Sequence, residues 1–392
     1  MKKGKKLVLT EKGQSLVLLV ILLLGMLAIL ALVLDGGNLF GKRRATQNAA
    51  DAGALAGART LCITKDETQA IYQANQYAAS NVPNVVNQIE IGERQVTITS
   101  TLTFKTFFAH LIGYPELTAQ ASATAGCFPP TTGEGVLPIA WACRPPIEGG
   151  GSISEDCQEQ AITDDQLDDY INNPPPAGTI YPELYIVMDS QAEPDDLAAI
   201  CQSVGGWLDC DLDNDGDDDL IANGDRSWLD LDGGGGGASE LREWIDHGFP
   251  GDICEHTWLG GQSGVENSVF QTAGDHVGEI VAIPVFNLIC DDYPDPACAA
   301  DVHSEDTLVT SAGGNYYYHI IGFAAFYISC VDAPGVPGPG CPGHQVAVDQ
   351  GVIANNAKTI EGYFVIGILP ELGGGDDDSG FDLGVYTLRL IK

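Results

Sequence analysis

Basic residues almost vanish from this chain after residue 126: six of its 18 Lys and Arg lie beyond that point, against 46 of its 54 Asp and Glu. Residues 127–392 therefore carry a formal charge of −40. A surface so poor in cations cannot neutralise phosphates, which excludes nucleic acid as a partner. Its carboxylates repel anionic membrane surfaces and attract hard cations.

Motifs that carry chemistry are also scarce. The 11 cysteines form no C-x-x-C pair, which removes the zinc and thioredoxin-like readings. The histidines (His110, His247, His256, His276, His303, His319 and His344) include no H-E-x-x-H spacing. Gly261-Gln262-Ser263-Gly264 falls one residue short of a nucleophile elbow. The glycine run 233–237 has no phosphate-loop lysine and reads as a flexible connector. Trp207, Trp228, Trp244 and Trp258 are expected in a core rather than as sugar platforms. The expectation is a protein without a catalytic site.

What the chain does have begins with an unbroken apolar run, Ser15–Leu34. About 20 residues at 1.5 Å each cross a bilayer core of roughly 30 Å. A secretory h-region is shorter, about 7–15 residues, and no A-x-A-like site follows Leu34, so a retained transmembrane helix is expected. Lys2, Lys3, Lys5, Lys6 and Lys12 precede the run, which puts a basic tail, residues 1–14, in the cytoplasm and the bulk of the chain outside.

Cysteine usage agrees with an oxidising compartment. Cys201/Cys210, Cys290/Cys298 and Cys330/Cys341 are spaced to close short loops, and Cys62/Cys127 to staple the ends of a small unit. An odd count leaves at least one thiol over.

After the span, residues 35–58 are rich in alanine and free of proline, so the helix should continue. Gly37, Gly41, Ala45, Ala49, Gly53 and Gly57 recur every fourth residue as a ridge without bulk, which lets another helix approach closely. Next come a helix around Glu67–Ser80, an alternating strand Arg94–Phe108 and a second extended run Leu117–Ala125. These make a small helix-plus-sheet module, residues 35–127.

Residues 128–392 read as an acidic β-rich domain, giving an α+β chain overall. Strands are expected at Val136–Ala142, Leu184–Met188, Glu279–Phe286, Tyr316–Ser329 and Thr359–Leu369. Helices are expected at Asp195–Ser203 and Ser239–Asp246.

Asp211, Asp213, Asp215, Asp217 and Asp219, with Gly216 between, match the first nine positions of an EF-hand-type loop. Position 12 is Ala222, so Asp225, Asp230 or Asp232 would have to supply a further carboxylate. A structural Ca²⁺ would relieve the mutual repulsion of these groups.

An apolar span, an aspartate at its outer end (Asp35) and the run Arg43-Arg44-Ala-Thr-Gln-Asn-Ala-Ala-Asp-Ala-Gly-Ala-Leu-Ala-Gly-Ala58 resemble the N-terminal region of bacterial TadE/TadG-like proteins of Flp (Tad) pilus assembly. The resemblance covers residues 13–60 and implies a membrane-anchored component whose helix docks other pilus-assembly proteins. Leu18 stands where pilin-type members carry the glutamate that sets subunit register, so prepilin cleavage is not implied. Asp189-Ser190-Gln191-Ala192-Glu193 lacks the D-x-S-x-S metal site of von Willebrand A domains, so their adhesion chemistry does not carry over. The alternative is a surface-anchored polysaccharide-binding or hydrolytic protein that uses the helix as a tether.

Overall fold

The structure is a computed structural model that describes residues 14–139, 141, 161–176, 178–190, 228–235, 237–262, 267–291, 307–309, 316–337, 340–350, 353–369, 372–374 and 382–391. The chain divides into two units, Met1–Gly126 with Arg389–Lys392, and Cys127–Leu388.

With no proline between them, residues 14–64 form one helix, α1 (Gln14–Thr64, 51 residues), about 77 Å long at 1.5 Å per residue. Its first part holds its large apolar side chains, Leu16 to Leu34, exposed on all sides. Its second part has a packed face. Lys65 takes a left-handed turn at φ 54°. Asp66 then caps α2 (Glu67–Asn81), its Oδ1 accepting from the backbone N–H of Thr68 at 2.8 Å and Gln69 at 3.1 Å. The Gln69 N–H is the main influence that holds the Asp66 carboxyl below its ordinary value.

Helix α2 turns back along α1 and buries Ala70, Ala74 and Ala78, spaced one turn apart, against it. A sheet supports the pair, in the order β1 (Val86–Ile91), β2 (Gln95–Lys105), β3 (Glu116–Phe128) and the last strand, β14 (Thr387–Ile391). Strand β2 alternates as its sequence demands. Val96, Ile98, Ser100 and Leu102 face inward. On the opposite face the hydroxyls of Thr97, Thr99 and Thr103 meet those of Thr124, Ser122 and Thr118 at 2.8, 3.1 and 3.3 Å.

The larger unit begins with β4 (Thr132–Gly133). It is built on a seven-stranded sheet of β5 (Tyr185–Asp189), β6 (Leu229–Asp230), β8 (Thr257–Gly261), β9 (Ile280–Asp291), β10 (Thr307–Val309), β11 (Tyr316–Asp332) and β12 (Thr359–Val365). Strand β11 is the spine, antiparallel to β8, β9 and β12, while β10 pairs with β8 in parallel. Its near-continuous apolar sequence fits a strand buried on both faces, as does β12, every residue of which is buried. A second, three-stranded sheet joins β4 to β7 (Ile253–Cys254) and β13 (Leu372–Gly373).

Helices α3 (Asp164–Asn172), α5 (Asn267–Gly274) and α6 (Pro342–Gln350) contact β12, and α4 (Ala238–His247) contacts α5. Trp141, Tyr185, Phe326 and Phe364 pack as an aromatic cluster in the core, with ring centroids 5.1–5.8 Å apart.

One expected strand differs. In Val136–Ala142, of which Ala140 and Ala142 lie outside the described residues, Leu137 and Trp141 donate to the carbonyls of Ala282 and Pro284, and pairing is otherwise limited to isolated bridges. Pro138 has no N–H to give a ladder, which keeps this segment irregular. The expected helix Asp195–Ser203 lies outside the described residues, and Ser239–Asp246 falls within α4.

Candidate functional site

The small residues of α1 divide into two sets. Ala49, Gly53 and Gly57 are buried, Ala45 is half-buried, and Gly37 and Gly41 are exposed. A methyl group at Gly53 would lie 2.8 Å from the Ala74 carbonyl oxygen and 2.9 Å from Ile98 Cδ1. At Gly57 it would lie 3.0 Å from both Ala74 Cβ and Val96 Cγ1. The inner end of the ridge is thus occupied by α2 and β2 of the same chain. At Gly37 and Gly41 a methyl would meet nothing within 4 Å, so the end nearer the apolar segment is open.

Asp35, the residue after that segment, is 7 % exposed and has found partners far along the chain. Its Oδ1 accepts from the Phe107 N–H at 2.7 Å, and its Oδ2 from those of Phe108 at 3.0 Å and Ala109 at 2.7 Å. These donors lead into a short 3-10 turn, Ala109–Ile112, whose first N–H groups would otherwise need water. The β2–β3 loop is closed on itself as well. Thr106 donates its backbone N–H to Pro115 at 3.1 Å and its Oγ1 hydroxyl to the Tyr114 carbonyl at 2.7 Å. The sequence singles out Asp35 by its place at the end of the span, but it gives no sign of a partner more than 70 residues away.

Residues 13–60 match the family model of TadE/G-like Flp pilus-assembly proteins. The match covers the apolar segment, Asp35 and both sets of ridge residues, and it supports a role related to pilus assembly. No curated protein and no solved structure matches the chain. By length and composition, α1 is also the one helix among the described residues able to cross a membrane.

The remaining candidates lie in different places. Asp211, Asp213, Asp215, Asp217 and Asp219 fall outside the described residues, as do Cys201, Cys210, Cys298 and the side chain of Cys290. Cys330 and Cys341 form a disulfide with Cα atoms 5.6 Å apart. Cys62 and Cys127 are each disulfide-bonded, and Cys254 carries a free, exposed thiol.

Downstream of the aspartate loop, Asp230, Asp232 and Glu240 each bring a carboxylate oxygen within 4.8 Å of the others. Asp230 is fully buried and accepts from the N–H groups of Gly233 at 2.8 Å and Gly235 at 3.2 Å. Gly233 and Gly235 reach it with φ of 75° and 68°, so this part of the expected flexible connector is a turn wrapped round a carboxylate.

Trp228, Trp244 and Trp258 are buried, and Trp207 lies outside the described residues. His256 and His319, far apart in sequence, lie with ring centroids 5.6 Å apart and planes tilted by 36°. A cleft of about 600 Å³ is lined by Glu134, Glu240, Glu243, Trp244, His247 and Phe249.

Proposed function

We propose that this protein is a non-enzymatic, single-pass membrane component of a Flp pilus-assembly apparatus, with its N-terminus in the cytoplasm and the bulk of the chain, including its acidic larger unit, displayed outside. The observation that carries the reading is the coincidence of two features on one helix. The family match covers α1 from residue 13 to residue 60, and there a 20-residue apolar surface, exposed on all sides, runs into the open small residues Gly37 and Gly41. Small residues on a helix surface allow close backbone approach by a second helix. Helices of other pilus-assembly proteins are the partners that fit. The test is isolation of the full chain from its own membranes in mild detergent: other pilus-assembly proteins come with it, and recovery of the chain alone contradicts the proposal.

The outer unit is calcium-stabilised in this reading, through Asp211, Asp213, Asp215, Asp217 and Asp219, whose spacing carries the idea. Extracellular modules of this kind bind at about 10⁻⁴–10⁻³ M. At a roughly twentyfold excess over Kd such a site adds about 1.8 kcal/mol to stability. Titration calorimetry should show heat at millimolar Ca²⁺ with a raised Tm. The absence of heat, together with a Tm indifferent to chelator, would count against the site.

A further inference from the structure

We infer that the β2–β3 loop, residues 106–115, is a second membrane-contacting element seated in the outer headgroup layer of the bilayer that α1 crosses. The inference rests on the membrane-spanning reading of α1. The three hydrogen bonds from Phe107, Phe108 and Ala109 to Asp35 fix the loop beside the residue that follows Leu34, the last of the apolar run. Residues 107–109 of the loop are therefore held within a side chain's reach of α1 at the level of Asp35.

Its composition suits that depth. Thr106-Phe-Phe-Ala-His-Leu-Ile-Gly-Tyr-Pro115 contains no Asp or Glu in a chain that has 54 of them. Phe107, Leu111 and Tyr114 are 61 %, 74 % and 62 % exposed, an apolar surface that water disfavours. Phe40, on α1 itself, is 79 % exposed and stands about 7.5 Å beyond Asp35 at 1.5 Å per residue. The headgroup layer on each side of a bilayer is roughly 5–7 Å deep, and aromatic side chains concentrate there. Lys42, Arg43 and Arg44 stand about 10–14 Å beyond Asp35 at 1.5 Å per residue, and their long side chains can reach back toward lipid phosphates. The loop is closed by its own hydrogen bonds and does not need to order on insertion, so it acts as a preformed collar. That collar fixes the tilt and depth of the anchor.

The test places the photo-reactive residue p-benzoylphenylalanine, one site at a time, in the full chain reconstituted in vesicles of phosphatidylcholine and phosphatidylglycerol. The sites are Leu23 in the apolar run, Leu111 in the loop and Tyr72 on α2. Ala74 of α2 packs at Gly57, which puts Tyr72 about 33 Å along α1 from Asp35. Mass spectrometry reads lipid adducts after illumination. Adducts at positions 23 and 111 with none at 72, and loss of those at 111 alone in Asp35→Ala, are the expected result. Adducts at 23 only, adducts at 111 no more abundant than at 72, or cross-links at 111 to protein instead of lipid overturn the collar and leave the anchor standing. The absence of adducts at 23 overturns the anchor and the collar together.

Discussion

Replacing Gly53 by leucine is expected to destabilise the small unit by about 3 kcal/mol, the upper end for overpacking a tight interface. The first added carbon alone would stand 2.8 Å from the Ala74 carbonyl oxygen. That oxygen belongs to helix backbone and cannot turn aside, whereas Ile98 Cδ1, at 2.9 Å, can change rotamer. With Ala78 Cβ also 3.1 Å away, accommodating the larger side chain is expected to lift α2 from α1 and expose Ala70, Ala74 and Ala78. Leucine is the better helix former, by somewhat less than the roughly 0.8–1.0 kcal/mol that separates alanine from glycine, which offsets only part of this. Gly41→Leu is the matched control: nothing lies within 4 Å, so the propensity gain is unopposed and stability holds or rises. Chemical unfolding of both variants in detergent, followed by protection of residues 35–126 from protease, distinguishes them. Equal stability of the two would mean that the ridge is not packed as described.

The larger unit is expected to lose stability as pH rises from about 4.5 to about 7, and Glu361→Gln to lose that dependence. Glu361 is fully buried on β12, and burial is the main cause that pushes its carboxyl up to about 7 from an ordinary 4.5. N–H groups of Gly343 at 3.2 Å and His344 at 2.8 Å, at the start of α6, oppose the rise, while the charge of Asp332 adds to it.

Between those two pH values the folded chain keeps a proton that the unfolded chain releases, so unfolding gains from rising pH. The contribution is fully present below about 4.5, fades through the interval and is gone above about 7. At 1.36 kcal/mol per pKa unit the whole change is about 3 kcal/mol. Many other carboxylates titrate over the same range, so the quantity to measure is the difference between wild type and variant. Urea midpoints at pH 5 and pH 8 should show Glu361→Gln gaining on the wild type by most of that amount, about 2.5 kcal/mol, at the higher pH. Parallel curves would mean that Glu361 is ionised in the fold at both.

The legible parts of this chain were those in which a local pattern fixes the outcome. The uninterrupted apolar run Ser15–Leu34 becomes the first part of helix α1, long and apolar enough to cross a membrane. The alternation at Arg94–Phe108 becomes β2, and the apolar stretch at Tyr316–Ser329 becomes the spine strand β11. The short-loop pairing of Cys330 with Cys341 is likewise present.

What escaped is non-local. Strand β1 (Val86–Ile91) is half polar and unremarked in sequence, yet β2 gives it a register along its full length. Strand β14 joins a sheet whose other members end more than 250 residues earlier. The ridge shows the same limit from the other side. Its period is visible from Gly37 to Gly57, but only packing separates the residues already covered by α2 from those still open.

That separation sets the decisive experiment. If α1 docks partner helices through its open end, Gly37→Leu with Gly41→Leu in the full chain should abolish co-isolation of other pilus-assembly proteins from native membranes, while the chain's own level and fold are unchanged. Undiminished co-isolation with the double variant would contradict helix docking at this surface.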